Sequence, residues 1–303
     1  MSGQTILPER ERALRSARPK RPSALRRAFR RWLATRQIAL GGSVILLLVM
    51  LAIFAPLLAP YPPDQIGAAR RLSVPGPGHW LGTDEFGRDI LSRIVFGTRL
   101  SLYVGLVAVG IGLACGTSIG AIAAYSGGWV SGLLMRAIDL LYTFPDVLIA
   151  LCLVAFLGPS LTNAMISVGI SVVPFYARVT YAIVLAERQK TYVDAAQVIG
   201  AGHARVIVRH LLPNVVPPMI VVASLGFSAA VLSAAALSFL GLGAQPPTAE
   251  WGLMLATGRN YLQRAPWVVI APGMAIFIAV MAFNLLGDGI RDVLDPRQRK
   301  SIF

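Results

Sequence analysis

Long apolar runs separated by short polar segments dominate the chain from Ile38 onward. A helical run of about 20 residues is long enough to cross the roughly 30 Å of hydrocarbon in a bilayer. The pattern therefore predicts an all-α integral membrane protein whose six transmembrane helices lie within residues 38–290. The six runs cover residues 38–58, 100–124, 133–157, 161–184, 215–240 and 267–286.

The segment before the first run is basic, with eleven Lys or Arg and two acidic residues in residues 1–37. Residues 1–22 combine arginines with prolines and show no apolar period, which predicts a disordered tail. Residues 23–37 repeat apolar residues at helical spacing, which predicts an amphipathic helix on the membrane surface. These apolar residues are Leu25, Phe29, Trp32 and Leu33.

Charge along the chain predicts its orientation. The N-terminal segment, the loop 186–213 and the tail 291–303 are net positive, whereas positive and negative charges balance in the loop 60–97. Because cytoplasmic segments are enriched in Lys and Arg, we expect both termini in the cytoplasm and residues 60–97 and 241–266 outside. A bacterial inner membrane fits this topology.

Composition supports the membrane interpretation: 55% of the 303 residues are hydrophobic and 14% are charged. The net charge of +14 could indicate nucleic-acid binding, but the basic segment directly precedes an apolar run, which favours a membrane flank and no nucleic-acid partner. The two cysteines lie in apolar runs, so they predict neither a disulfide framework nor a zinc site.

Two sequence patterns resemble motifs for hydrolysis or metal binding, but neither has the surroundings that such a motif needs. Gly116–Gly120 matches G-x-S-x-G, but it lies inside an apolar run, and the three histidines lie outside the runs. Four polar residues of the 60–97 loop resemble metal ligands, but their spacing matches no metal signature, so we expect an ordered loop and no metal. They are His79, Asp84, Glu85 and Asp89.

A phosphate-binding loop of the G-x-x-x-x-G-K-[ST] type is absent from the sequence, which has three lysines in all. We therefore expect any ATP-driven step to come from another polypeptide.

Three features inside the runs predict helix packing or a solute path. Gly112, Gly116 and Gly120 repeat every fourth residue, which predicts close approach of another helix. The spacing of Arg136 and Asp139 predicts an ion pair within one helix. Asp146 and Arg178 are ionisable residues within spans, so we consider them candidates for the translocation path.

A polar segment between the fourth and fifth runs carries the most informative pattern. It reads Asp194-Ala195-Ala196-Gln197-Val198-Ile199-Gly200, followed by Leu212-Pro213. This pattern resembles the EAA loop of ATP-binding-cassette importer permeases, with Asp194 in place of the usual Glu. His210 stands where that pattern has an apolar residue.

Three further segments resemble motifs of the peptide and nickel permease family. They are residues 79–89, which begin His-Trp-Leu-Gly-Thr-Asp-Glu, residues 237–252, which end Ala-Glu-Trp-Gly, and residues 283–292, which begin Phe-Asn-Leu-Leu-Gly-Asp. Together with the EAA loop, the resemblance covers roughly residues 23–297. The chain is similar to the C-type permease subunits of dipeptide and oligopeptide importers.

The resemblance implies a type I importer permease bundle, with no catalysis by this chain. It implies a homologous B-type permease, two ATPase subunits that bind ATP and Mg, and an extracytoplasmic solute-binding protein as partners. Contact with the ATPases is implied for Asp194, Ala195, Ala196, Ile199, Gly200, His203, Arg205, Leu212 and Pro213. Contact with the binding protein is implied for His79, Trp80, Asp84, Arg88, Asp89, Gln245, Pro246, Pro247, Glu250 and Trp251.

Two alternatives to a peptide importer remain at this point. The same class of importer could carry glutathione or nickel chelates, since relatives of the family transport them. An ion-coupled secondary transporter would usually show paired broken helices and ion ligands near the midplane of the membrane. The sequence instead shows one polar loop and few acidic residues within the spans.

Overall fold

The computed structural model of the protein describes residues 36–67, 69–202 and 205–294, and the regular structure in these ranges is helical. The tail predicted for residues 1–22 and nearly all of the amphipathic helix predicted for residues 23–37 lie outside the described residues. The last nine residues of the chain lie outside them as well.

The helices follow one another with short connections, except where residues 59–89 and 240–266 form longer excursions. A π-helix, Val206–Leu211, precedes the helix that begins at Leu212, and a short 3-10 helix, Arg259–Tyr261, follows the helix that ends at Gly258. In chain order the helices are α1 (Arg36–Ile53), α2 (Ala55–Leu58), α3 (Ile90–Ser126), α4 (Gly128–Tyr142), α5 (Asp146–Leu157), α6 (Leu161–Ser171), α7 (Val173–Arg188), α8 (Thr191–Val198), α9 (Leu212–Phe239), α10 (Trp251–Gly258) and α11 (Trp267–Leu294).

Helical stretches long and apolar enough to cross a membrane account for the predicted spans. Among the described residues, five are single stretches, and α4 with α5 supplies a sixth. The five are Arg36–Ile53, Ile90–Ser126, Leu161–Arg188, Val206–Phe239 and Trp267–Leu294. The predicted all-α bundle of six spans is thus confirmed.

The third span is broken, so the prediction of one continuous helix over residues 133–157 is wrong. The axes of α4 and α5 differ by 88° at a break around Thr143–Pro145. Proline has no N–H to donate and disfavours helical geometry in the residue before it, here Phe144. Pro145 itself has an extended conformation, with ψ of 132°.

A proline also interrupts the first predicted span, which ends as α1 and restarts as α2 after Phe54. Pro56 cannot donate a hydrogen bond to the preceding turn, which would leave carbonyl groups without partners. Arg99 of α3 supplies hydrogen-bond donors for these carbonyl groups. Its Nε donates to Ala52 O at 2.8 Å and its Nη2 donates to Ile53 O at 3.1 Å. The break is therefore tied to α3.

The glycine stripe of α3 lies against α7 of the same chain. A Cβ at Gly112 would lie 2.5 Å from Val172 Cγ2, and one at Gly116 would lie 2.5 Å from Tyr176 Cβ. Contacts closer than 3 Å are not tolerated, so any side chain on the stripe would push the two helices apart. Residue numbers rise together along the contact, so α3 and α7 run parallel.

The far ends of α3 and α7 are also joined. Arg188, in the last turn of α7, donates from Nη1 to Ala124 O at 3.1 Å and to Tyr125 O at 2.9 Å. Basic side chains stabilise the end of a helix by bonding its last carbonyl groups. Arg188 therefore bonds the last carbonyl groups of α3 and fixes the position at which α7 ends.

Candidate functional site

Four charged residues near the start of α3 form what we call the charged network: Asp84, Arg88, Asp89 and Arg93. Asp84 Oδ2 accepts a hydrogen bond from Arg88 Nε at 2.6 Å, and its Oδ1 accepts from the backbone N–H of Phe86 and of Arg88, each at 2.9 Å. The side chains of Asp84 and Arg88 are each 6% exposed. Charges this deeply buried are tolerated when they are paired and fully hydrogen-bonded.

Asp89 performs two tasks in the network. It is the N-cap of α3, because its Oδ2 accepts from Ser92 N at 2.8 Å and from Ser92 Oγ at 2.7 Å. Its Oδ1 lies 2.9 Å from His79 Nδ1, which fixes the turn that carries His79. The ring of His79 stacks on Tyr61 with a centroid distance of 4.8 Å.

Arg93 connects the 60–97 loop to the 241–266 segment, more than 150 residues further along the chain. Its guanidinium donates to Pro63 O at 2.9 Å, to Asp64 Oδ1 at 3.3 Å and to Thr248 O at 3.1 Å. It also donates to Pro247 O at 3.3 Å. No sequence pattern indicates this long-range contact, so the sequence analysis missed that Arg93 joins the two segments.

Glu250 organises the 241–266 segment from within. It caps α10, since Oε1 accepts from Gly252 N and Oε2 from Leu253 N, both at 2.8 Å. Burial raises the pKa of Glu250, although these two backbone bonds oppose the rise. Trp251 lies beside it and donates from Nε1 to Ile94 O of α3 at 3.1 Å.

The residues implied in binding-protein contact therefore divide into two groups. Asp84, Arg88, Asp89, Glu250 and Trp251 are at most 5% exposed, so they support the surface rather than form it. The second group reaches that surface: Trp80 is 73% exposed, the His79 side chain is 15% exposed, and Gln245, Pro246 and Pro247 are exposed. The sequence did not separate the two groups, because both belong to the same polar motifs.

A cavity of about 510 Å³ lies where the α4–α5 break faces the bend between α6 and α7. Asp146 lies on its wall, at the first residue of α5. Its Oδ1 accepts a hydrogen bond from the backbone N–H of Val147 at 2.8 Å. Residues of α9 around Gly226 form the opposite wall. The cavity is thus bounded by three of the predicted spans.

Arg178 pairs with Asp139 and not with Asp146. Arg178 Nε donates to Asp139 Oδ1 at 2.9 Å, and its guanidinium lies 5.0 Å from the ring centroid of Tyr142. The ion pair predicted between Arg136 and Asp139 is therefore wrong, because α4 packs against α7 and brings a better-placed arginine to Asp139. Both side chains of the pair are nearly half exposed, at 48% and 41%.

The EAA segment, which we define as residues 189–213, contains α8 and the π-helix. Val193 faces the protein and is fully buried, whereas Val198 and Ile199 are 87% and 86% exposed. Asp194 and Ala195 are exposed, Ala196 is partly buried, and Gly200 has a φ of +88° that favours glycine. His203 lies outside the described residues, and Arg205, Leu212 and Pro213 are exposed.

Polar contacts tie the base of the EAA segment to the bundle. Tyr192 Oη donates to Glu187 Oε2 at 2.8 Å and accepts from Asn214 Nδ2 at 3.0 Å. Asn214 also donates to His210 O at 2.9 Å. Lys190 pairs with Glu187, and this hydrogen bond raises the pKa of Lys190. The π-helix that follows α8 is a rare geometry that often occurs at functional sites.

These features define a class of protein: a multi-pass membrane subunit with a folded polar surface at one end and exposed apolar residues on a short helix at the other. Residues 116–300 match the family described as binding-protein-dependent transport system inner membrane component. Residues 23–75 match the N-terminal TM domain of oligopeptide transport permease C.

Curated relatives match across most of the chain. It is 45% identical over 277 residues to the dipeptide transport system permease protein DppC of Alkalihalophilus pseudofirmus, covering 91% of each chain. A di/tripeptide permease protein of Pseudomonas aeruginosa is 46% identical, covering 87% of this chain and 89% of that one. A glutathione permease protein of Pectobacterium atrosepticum is 42% identical, covering 90% and 91%.

Solved structures show the same fold at low sequence identity. An inward-facing structure of the MetNI methionine ABC transporter matches with a TM-score of 0.57 and 18% identity, covering 68% of this chain and 98% of that one. An amino acid ABC transporter solved with histidines has a TM-score of 0.51 at 18% identity, covering 67% and 95%.

The chain therefore belongs to the binding-protein-dependent transport system inner membrane component family. It is a multi-pass permease component of an ATP-binding-cassette importer and is not itself an enzyme, because the ATPase of such importers is a separate subunit. Importers of this kind combine permease, ATPase and binding-protein subunits.

Proposed function

We propose that this chain is the C-type permease subunit of an importer for dipeptides or short oligopeptides. The observation that carries the proposal is the pair of exposed apolar residues, Val198 and Ile199, at the end of α8. Apolar side chains exposed in a polar segment indicate a contact surface for another protein. The names of the dipeptide relatives support the choice of substrate.

In this proposal the importer also contains a homologous B-type permease, two ATPase subunits and an extracytoplasmic binding protein. Lipid surrounds the spans, and both termini lie in the cytoplasm with the EAA segment. The binding protein docks on Trp80, Gln245, Pro246 and Pro247, which the charged network holds in place. This chain binds no cofactor of its own, and ATP and Mg belong to the ATPase subunits.

Movement of the ATPases reaches the bundle through α8. Val193 and Tyr192 attach this helix to the ends of α7 and α9, so a displacement of α8 displaces both spans. The ATPases supply free energy as a differential affinity for two arrangements of the spans.

The test is to express the chain with the neighbouring genes and purify it through a tag on its own terminus. We expect the second permease and the ATPases to co-purify, and vesicles with the complex to take up a labelled dipeptide when binding protein and ATP are present. A double variant, Val198→Asp with Ile199→Asp, should lower uptake at least about tenfold with little loss of folding stability, as is usual at surfaces.

The matched control is Ile66→Asp, which places an acid on another exposed apolar residue, 68% exposed, in the 60–97 loop. This control should retain co-purification of the ATPases. Normal ATPase binding and uptake in the double variant would reject the docking assignment. Uptake of glutathione but no dipeptide would favour the second candidate, which the glutathione relatives support at 42% identity.

A further inference from the structure

The cavity beside Asp146 lies near the middle of the membrane. From Asp146, α5 runs for about 16 Å to its end at Leu157, and from Val173, α7 runs for about 22 Å to Arg188 in the opposite direction. The hydrocarbon core is roughly 30 Å thick, so both helices place the cavity near its centre. In secondary transporters, solute sites typically lie at broken helices at this depth.

The cavity has the size and composition of a small-molecule site. Its volume of about 510 Å³ lies within the usual range for ligand pockets of roughly 300–1,000 Å³. Its walls are mostly apolar and aromatic, with few polar groups. The aromatic members are Tyr142, Phe144, Phe175 and Tyr176.

Two polar groups in the wall have few partners among the described residues: Asp146, which is exposed, and Tyr176, which is buried. In the part of the chain that the structure describes, Asp146 forms no ion pair, although an unpaired carboxylate is costly at membrane depth. Tyr176 is 1% exposed and its hydroxyl has no hydrogen-bond partner among the described residues. The carboxylate of Asp146 is exposed at the cavity and is the group that a ligand can reach, whereas the Tyr176 hydroxyl lies behind the cavity wall.

Space for the Tyr176 hydroxyl is provided by Gly226, which lines the same cavity. A Cβ at Gly226 would collide with this hydroxyl, so any larger residue would displace the Tyr176 ring. The hydroxyl is therefore held beside the wall of the cavity by the absence of a side chain on α9.

We propose that this cavity is a transient site for the α-ammonium group of a peptide in transit, with Asp146 as its counter-ion. Phe144 and Phe175 supply aromatic surface that attracts a cation. The proposal rests on the proposed function and adds a site within the membrane to the selection made by the binding protein. Arg178 does not compete for Asp146, because it is paired with Asp139.

The first test measures binding to the purified importer complex without binding protein. Cys115 and Cys152 are replaced by serine, and Ile149→Cys places a thiol in the cavity wall. A dipeptide should slow modification of this thiol by a small maleimide several-fold, whereas the N-acetylated dipeptide should not. Equal protection by both peptides would overturn the proposal, and so would a thiol that is inaccessible because a partner helix fills the cavity.

The second test uses Asp146→Asn, which keeps the acceptor for Val147 N–H and removes the charge. We expect it to abolish protection by the dipeptide and to lower dipeptide uptake about tenfold, with assembly retained, while Asp146→Glu restores part of both. Wild-type uptake by Asp146→Asn at every dipeptide concentration would reject this site and leave the proposed function intact. If the unmodified complex takes up no dipeptide, the proposed function itself fails.

Discussion

The two ends of this molecule are built in opposite ways. The charged network buries four ionised side chains and joins segments more than 150 residues apart through Arg93. The EAA segment is held at its base by Tyr192 and Asn214 and exposes Val198 and Ile199. Under the proposed function, the first surface keeps its shape for docking while the second transmits displacement to α7 and α9.

Removal of the Arg93 side chain should cause the largest loss of folding stability. Arg93→Met keeps much of the side-chain volume but removes the second arginine beside Asp84, leaves Asp64 without its ion pair and frees the carbonyl of Thr248. Each buried carbonyl that loses its hydrogen-bond donor costs roughly 1–3 kcal/mol, and Arg93 donates to three carbonyl groups. We expect a large drop in the thermal unfolding midpoint of the detergent-solubilised protein.

The control is Arg71→Met, which removes an exposed arginine from the same loop. Its midpoint should stay close to that of the unchanged protein. Equal midpoints for the two variants would show that the charged network does not hold this surface together.

A matched pair of glycines gives the next largest effect. Gly82 and Gly200 both have positive φ, +76° and +88°, but a Cβ at Gly82 would lie 2.5 Å from Ser73 O, whereas Gly200 has no such neighbour within 4 Å among the described residues. Gly82→Ala should therefore lose about 2–4 kcal/mol of folding stability from strain and crowding, and Gly200→Ala about 1 kcal/mol from strain alone.

Variants at Gly200 distinguish an effect on folding stability from an effect on the coupling of ATP hydrolysis to uptake. Gly200→Ala should lower ATP-driven uptake more than its small change in unfolding midpoint would suggest, because the substitution alters the path of the chain after Ile199. Gly200→Arg, which adds bulk at the same place, should uncouple ATP hydrolysis from uptake while leaving assembly largely intact. Full uptake in the Gly200→Arg variant would contradict a role in docking.

A substitution in the contact between α3 and α7, the helices that link the two ends, should cause an intermediate loss of folding stability. Gly116→Ala places a Cβ 2.5 Å from Tyr176 Cβ and 2.8 Å from Val173 O, which should cost about 1–3 kcal/mol by forcing α3 and α7 apart. Gly110→Ala on the same helix meets no described atom within 4 Å and should cost nothing. Identical unfolding midpoints for the two variants would argue against close packing along the stripe.

The smallest expected effect is on the pH dependence of the unfolding midpoint. Burial raises the pKa of Glu250 above its ordinary value of 4.5, so the folded protein binds this proton more tightly than the unfolded chain does. Stability from this group is fully present below that value and is lost as pH rises through the higher pKa of the folded state. Glu250→Gln should make the unfolding midpoint less dependent on pH in this window.

A residual slope is expected in the Glu250→Gln variant, because burial also raises the pKa of Glu85. Adding Glu85→Gln should flatten the profile further. An unchanged profile in the double variant would mean that these two carboxyl groups titrate alike in the folded and unfolded protein.

The sequence predicted well whatever depends on local spacing. Apolar run lengths placed the spans, and the four-residue period of Gly116 and its neighbours indicated a close helix contact, although not which helix was the partner. The break at Pro145 was missed because apolar residues continue on both sides of it, which hides a change of direction from a hydropathy pattern.

Contacts between distant segments could not be predicted from the sequence, because they depend on tertiary packing. The spacing of Arg136 and Asp139 favours an ion pair, but tertiary packing supplied Arg178 from another helix. The motif that contains Asp84 reads as an exposed polar loop, yet pairing with Arg88 allows it to be buried. Neither the cavity nor the fit of Tyr176 against Gly226 leaves any local signal.

The most direct test of the account uses a photoreactive thiol reagent attached at Ile199→Cys in the importer, with Cys115 and Cys152 replaced by serine. Irradiation should join this position to an ATPase subunit, and the same reagent at Trp80→Cys should join the binding protein instead. If Cys at position 199 reacts with a membrane-impermeant maleimide added outside intact cells, or cross-links to the binding protein, the assignment of the two ends is contradicted.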